Sequence, residues 1–193
     1  MVVSGRTAGI LLHPTSLPGP HGVGDLGGSA ARFIDWLSEA RQGLWQILPL
    51  GPPGAGDSPY DARSSFAGNP LLIALAPLVE WGLLTADEVP PPLMSDPERA
   101  DFAGATSVKL TALARAFERF EASGDGELRV AYEEFWERER AWLADYALYA
   151  ALRTAHDGLP WYRWEPGLVR REPAALAEWR ARLDREVRFH AFL

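Results

Sequence analysis

The densest cluster of groups able to grip a neutral, hydroxyl-rich ligand is the segment 51–70, GPPGAGDSPYDARSSFAGNP. It sets Asp57, Ser58, Tyr60, Asp61, Arg63, Ser64, Ser65 and Asn69, the only asparagine, among glycines and prolines. A pyranose ring needs this mixture: an aromatic face for its apolar side, and carboxylates and hydroxyls that hydrogen-bond its OH groups. The same residues also suit an ordinary Asx and proline turn with solvated side chains, and the segment read by itself leaves both open.

Other reactive groups carry less. Gly22-Val23-Gly24-Asp25-Leu26-Gly27 fits G-x-G-x-x-G, but a dinucleotide fingerprint follows its strand at once and needs an acid about twenty residues on. Here residues 14–21 intervene, Asp25 puts a carboxylate where a pyrophosphate would sit, and no acid follows Glu39 until Asp57. A glycine-rich turn is the better reading, and no cofactor is expected. His13, His21, His156 and His190 show no metal-ligand spacing and there is no cysteine, so no metal site and no disulfide framework are expected. His13, at a strand end, reads as structural. Asp25, Asp35, Asp57, Asp61, Asp145 and Asp157 could each join an acid pair, but only Asp57 has a distinguishing context. Glu133, Glu134, Glu137 and Glu139 alternate with Arg138 and Arg140 as a solvated helix face does.

These groups need a scaffold, and the apolar pattern supplies one. Gly9 to His13 is a short apolar run stopped by Pro14, as in a buried parallel strand. After a Pro/Gly loop, Ser29 is the expected N-cap of a helix with Phe33, Ile34, Trp36, Leu37 and Ala40 at helical spacing, ending before Gly43. The run LWQILPL is a second strand, halted by Gly51, Pro52 and Pro53, so the stretch from Gly9 reads as one βαβ unit with parallel strands and a right-handed crossover. The loop 51–70 then leaves the C-terminal end of a parallel strand, where barrels and open α/β sheets place their sites.

Beyond it the texture is helical: Leu71 to Leu84, then a connector at Pro90, Pro91 and Pro92. An amphipathic stripe through Leu110, Leu113, Phe117 and Phe120 follows. A break at Gly124 to Gly126 precedes a long helix carrying Tyr132, Phe135, Trp142, Leu143, Tyr146, Tyr149 and Leu152. The turn HDGLPWYRWEP leads to one last helix with Leu176, Trp179, Leu183 and Val187. Two parallel strands leave edges and faces that nothing in these residues visibly covers, so either the helices cover them in an unusual way or the rest of the protein lies past Leu193.

The strings GILLHPTSLPGPHGVGDLG, LWQILPLGPPGAGDSPY and SSFAGNPLLIALAPL, in order and closely spaced, resemble the opening of amylomaltases, the bacterial 4-α-glucanotransferases. The resemblance continues through ERERAWLADYALYAALRTAHDGLPWYRW and EVRFHAFL, covering about Gly9 to Leu193. It implies an α/β fold of the (β/α)8 TIM-barrel family, of which this chain holds the first two strands and a largely helical inserted subdomain. The implied division is 1–70 for the start of the barrel and its substrate loop, 71–188 for the insertion, and 189–193 for the lead-in to the next barrel element.

The implied activity is transfer of α-1,4-glucan segments between maltooligosaccharides by a retaining double displacement. That chemistry needs two carboxyl groups about 5 to 5.5 Å apart across the sugar. In the family these acids come from later strands, no position here matches them, and no catalytic residue is assigned. What carries over is Ser58 as a hydrogen-bonding group, Tyr60 as a packing face for a glucose unit, and Asp57 as a weaker substrate contact or loop-fixing cap. Asn69 is expected to hold the loop. Two departures stand out: Ala55 replaces an aromatic that relatives use for a secondary glucan contact, and Asp61 and Arg63 replace uncharged polar residues.

The formal net charge of −7 argues against a nucleic-acid partner, whose phosphates require a clustered basic surface. Lys109 is the sole lysine among nineteen Lys and Arg residues, a compositional bias with no function attached to it. No run of 18 apolar residues appears, so no membrane span is expected and the cytoplasm is the expected compartment. A glucan hydrolase of the same fold and a non-catalytic glucan-binding module are the competing readings.

Overall fold

The computed structural model describes residues 5–54, 56–93, 96, 98–124 and 126–193. The chain divides into two compact units, Met1–Arg119 and Phe120–Leu193, with the division inside the helix Phe102–Ala122.

In the first unit, β1 (Gly9–Leu11) and β2 (Leu44–Gln46) pair in parallel, with Gly9 opposite Leu44, Ile10 opposite Trp45 and Leu11 opposite Gln46. Both strands are shorter than the apolar runs that contain them. A side chain at Gly9 would stand 2.5 Å from the Leu44 carbonyl oxygen, so glycine permits the strands to approach. The helix α1 (Gly28–Glu39) covers one face: Phe33 meets Trp45 edge to face at 4.9 Å, and Ala30 and Leu37 are buried. Leu11, Leu44 and Gln46 share the other face and are exposed, contrary to the expectation of strands buried on both sides. Ile34 and Trp36, expected on the buried stripe of α1, are half-exposed for the same reason: within this unit, α1 has only one small sheet to pack on.

The N-cap of α1 is Gly27, not Ser29. No side chain caps this end; Asp25 Oδ1 accepts from the Gly27 amide (3.1 Å), and Ser29 lies inside the first turn and accepts from Arg32. The stretch Leu71 to Leu84 is not one helix either. A 3-10 turn at Pro70–Leu72 and the short α2 (Ala76–Glu80) replace it. Pro77 is tolerated only in a first turn, and Gly82 (φ +71°) closes α2 in a Schellman motif with Gly82 N bonded to Val79 O and Leu83 N to Leu78 O. Residues 90–93 form a connector without regular secondary structure.

The helix α3 (Phe102–Ala122) then supplies the centre of this unit. Leu113, Ala116 and Phe117 are buried as their spacing predicts, and among them Lys109 is fully buried too. The end of α3 is tied to the turn Ala86–Glu88 by a fork of two bonds, Arg119 Nη1 to Glu88 Oε2 (2.6 Å) and Nη2 to Oε1 (2.9 Å). Glu88 also closes a capping box with Thr85.

The second unit is helical. α4 (Glu127–Ala155) packs on α7 (Asp184–Phe192), with Leu143, Ala147, Leu148, Ala151 and Leu152 against Val187 and Ala191. The turn after α4 is held by His156, whose Nδ1 donates to Leu152 O (2.7 Å) and whose ring stacks on Trp164. After α5 (Pro166–Val169), the last apolar stripe is two helices rather than one. α6 (Pro173–Arg182) stops at Leu183 (φ −109°, ψ 27°) and α7 begins directly after it. No Pro or Gly marks this break; Leu183 packs against the core that holds Val187, so packing sets the kink. Residues 189–192 continue α7 as part of the same helix.

Candidate functional site

Both strands of the first unit lead into one cleft of ≈ 240 Å³ at their C-terminal ends. Three pieces of chain wall it: His13, Thr15 and Ser16 after β1; Asp57, Pro59 and Asn69 in the loop after β2; and Phe102 from the first turn of α3.

The wall after β1 is fixed by His13. Its Nδ1 accepts from the Thr15 amide (3.2 Å) and from Thr15 Oγ1 (2.7 Å), which caps the 3-10 turn Pro14–Ser16. That leaves Nε2 protonated, and it reaches Pro49 O at 3.3 Å, joining the exits of the two strands. His13 is therefore structural, as its position predicts, but it also lines the cleft. The glycine-rich segment runs just behind. A Cβ on Gly24 would lie 2.2 Å from Pro14 O and 2.6 Å from Leu17 O, and Gly24 N donates to Thr15 O. The glycines serve close backbone packing, which accounts for the G-x-G-x-x-G string without a nucleotide.

The loop after β2 folds back on itself. Pro53 bridges Ala62 in antiparallel fashion, Arg63 N donates to Pro52 O, and Asn69 N donates to Leu50 O. Asn69 is buried, and its Oδ1 caps the turn Pro70–Leu72 by accepting from Leu71 N (3.0 Å), the loop-holding role its type suggests. The loop's other end turns at Asp57, which sits in the left-handed region (φ +56°). Ser58 Oγ accepts from Tyr60 N (3.3 Å) and Ser58 O from Asp61 N (3.1 Å).

Of the three residues singled out for substrate, Asp57 lines the cleft. Ser58 follows it in the chain, partly buried, and Tyr60 is 75% exposed; neither is among the residues that line the cleft. Asp57 does not cap the loop: among the described residues its carboxylate receives no hydrogen bond, and Ser58 and Asn69 do the fixing instead. Asp61 and Arg63 are exposed, and Ala55 lies outside the described residues.

The wall formed by Thr15, Ser16 and Phe102 has little signal in the sequence, since Thr15 and Ser16 read as loop and Phe102 precedes the stripe that marks α3. Lys109 likewise carries no local signal; its Nζ donates to Asp25 Oδ2 (2.8 Å) and Leu71 O (2.7 Å). Burial pushes its pKa down and the Asp25 carboxylate pulls it back up. Among the described residues there is no group of three or more His, Cys, Asp or Glu placed to hold a metal ion. No helix among them is long and apolar enough to cross a membrane.

Residues 12–193 match the family described as 4-alpha-glucanotransferase. A 4-alpha-glucanotransferase of Thermus thermophilus is 50% identical over 187 residues, which is 97% of this chain and 37% of that protein. One from Synechocystis sp. is 46% identical over 97% of this chain and 37% of its own length. The rice chloroplastic/amyloplastic enzyme is 46% identical over 90% of this chain and 30% of its own. Among solved structures, an amylomaltase from Streptococcus agalactiae in complex with acarbose superposes with a TM-score of 0.90 at 33% identity, over 97% of this chain and 38% of that one. The chain thus spans between 30% and 38% of the length of these relatives. With the family matched across nearly its whole length, this chain belongs to the 4-alpha-glucanotransferases.

Proposed function

We propose that the polypeptide carrying this chain moves α-1,4-glucan segments from one maltooligosaccharide to the 4-OH of another by a retaining mechanism. Residues 1–70 form the start of a (β/α)8 barrel with its substrate loop, 71–188 form an inserted subdomain, and 189–193 lead towards the next barrel element. The observation that carries this reading is the cleft at the C-terminal ends of β1 and β2, walled by the loop that holds Asp57, Ser58 and Tyr60. The family's activity gives the cleft its ligand.

In this reading Tyr60 offers its exposed ring to the apolar face of a glucose unit. Ser58, already fixed through its Oγ, and the exposed Asp57 hydrogen-bond sugar hydroxyls. The nucleophile and the acid/base lie on strands outside residues 1–193. Retention needs both carboxyls within about 5.5 Å, close enough for attack on the anomeric carbon and protonation of the leaving oxygen across one sugar. The cysteine-free composition fits a cytoplasmic site of action.

Incubation of the full-length polypeptide with maltotriose tests the reading. Longer oligomers together with glucose are expected, and acarbose is expected to compete. Shorter products without chain extension would make it a hydrolase, and no turnover with retained maltoheptaose binding would make it a binding module.

A further inference from the structure

We propose that Lys109 is a positioning residue for this cleft, a latch on α3 that ties the glycine-rich loop at Asp25 to the Asn69–Leu72 wall and so sets how tightly glucan is held. The inference rests on the glucan-transfer reading of the cleft.

A lysine at this place calls for a reason. Its side chain is fully inaccessible, in a helix that otherwise turns Leu113, Ala116 and Phe117 inward, and a buried ammonium is commonly no more stabilising than a well-packed apolar side chain. Apolar packing, however, has no direction, and neighbouring segments can slide against it. Two charge-assisted bonds to different segments fix them at one register.

The partners are the segments that border the cleft. Leu71 is held from both sides, its O by Lys109 and its N by Asn69 Oδ1, and Asn69 is itself a cleft wall bonded to Leu50 O. Asp25 accepts from Lys109 on Oδ2 and from Gly27 N on Oδ1, while the next residue, Leu26, donates its amide to Leu72 O (3.0 Å). Phe102 stands seven residues before Lys109, about two turns along the same side of α3. It lines the cleft while packing on Val23, Leu71 and Ala105. One ammonium therefore joins α3, the loop behind the Thr15 wall and the Asn69 wall, although it touches no substrate.

The test uses the full-length polypeptide with Lys109→Met, Asp25→Asn and the double variant, read by initial rates on maltotriose and by amide hydrogen exchange. Lys109→Met alone strands the Asp25 carboxylate, so its melting temperature is expected to fall most. The double variant leaves neither charge unpaired and is expected to recover part of that loss. Its KM is nevertheless expected to rise roughly tenfold with kcat changed less than about twofold, because the loosened wall weakens binding rather than chemistry. Amides of Leu26, Leu71 and Leu72 should exchange faster. A double variant with unchanged KM and unchanged protection at those amides would show that Lys109 only fills the core and would overturn the proposal, as would a loss confined to kcat. If the double variant does not fold, Asp25→Asn alone is judged on the same two readouts. A wild-type protein that fails to lengthen maltotriose would sink the transfer reading instead, and the exchange data would then decide the latch separately.

Discussion

Tyr60 presents a ring that is 75% exposed from a loop whose turn is closed underneath by Ser58 Oγ, so the aromatic face is held out while the backbone stays fixed. A side chain so placed adds little to folding and much to a ligand that stacks on it. Tyr60→Ala in the full-length polypeptide is therefore expected to lower kcat/KM for maltotriose transfer about tenfold, near 1.4 kcal/mol. Its stability should change by less than about 0.5 kcal/mol. Parallel kinetics and thermal melts check this, and an unchanged kcat/KM would remove Tyr60 from the substrate site. The residues flanking it show how chemistry and support are divided. Asn69, chemically as able to bind sugar as Ser58, has spent its side-chain oxygen on Leu71 N and is buried, so it acts through the wall.

At the scale of elements, short pieces are joined to long ones by directed polar contacts. The turn Ala86–Glu88 has too few residues to persist unaided, and it docks on α3 through the two-pronged bond between Glu88 and Arg119. Those hydrogen bonds, with that from the Thr85 amide, hold the Glu88 carboxyl at about 2, well under its ordinary value of 4.5. A carboxyl with a depressed pKa in the folded state contributes stability that is complete above 4.5 and is lost as pH falls towards about 2. Glu88→Gln should thus melt earlier than wild type at pH 7, and the gap should close as the pH is lowered through that window. A gap that stayed constant to pH 2 would mean that the charge on Glu88 plays no part. The break between α6 and α7 follows a different rule, since no residue at Leu183 stops a helix and the core beneath it sets the bend.

For the whole molecule, the exposed face of the two-stranded sheet is the governing fact. Leu11 and Leu44 lie there at 57% and 42% exposure, whereas a parallel sheet ordinarily has both faces covered. The 193-residue chain produced alone is expected to bind a hydrophobic dye and to leave maltotriose unchanged, while the full-length polypeptide does neither. Transfer by the isolated chain would refute the placement of the acids outside it.

The residue pattern by itself settles the inward stripe of α3 at Leu113 and Phe117 and the break between α3 and α4 at the glycines, which follow from spacing or backbone restriction within a few residues, and the parallel pairing of β1 and β2, which follows from the order strand, helix, strand. The motif strings likewise carried the family, and they drew attention to Asp57 through the position of its loop. Tertiary structure alone decided that Phe102 and Thr15 share a cleft with Asp57, that Gly27 rather than Ser29 caps α1, and that a lysine with no local signal lies buried across from Asp25. These depend on contacts between residues as far apart as 25 and 109. No window of sequence records which distant carboxylate a buried charge will meet, because the partner is chosen by how the elements pack.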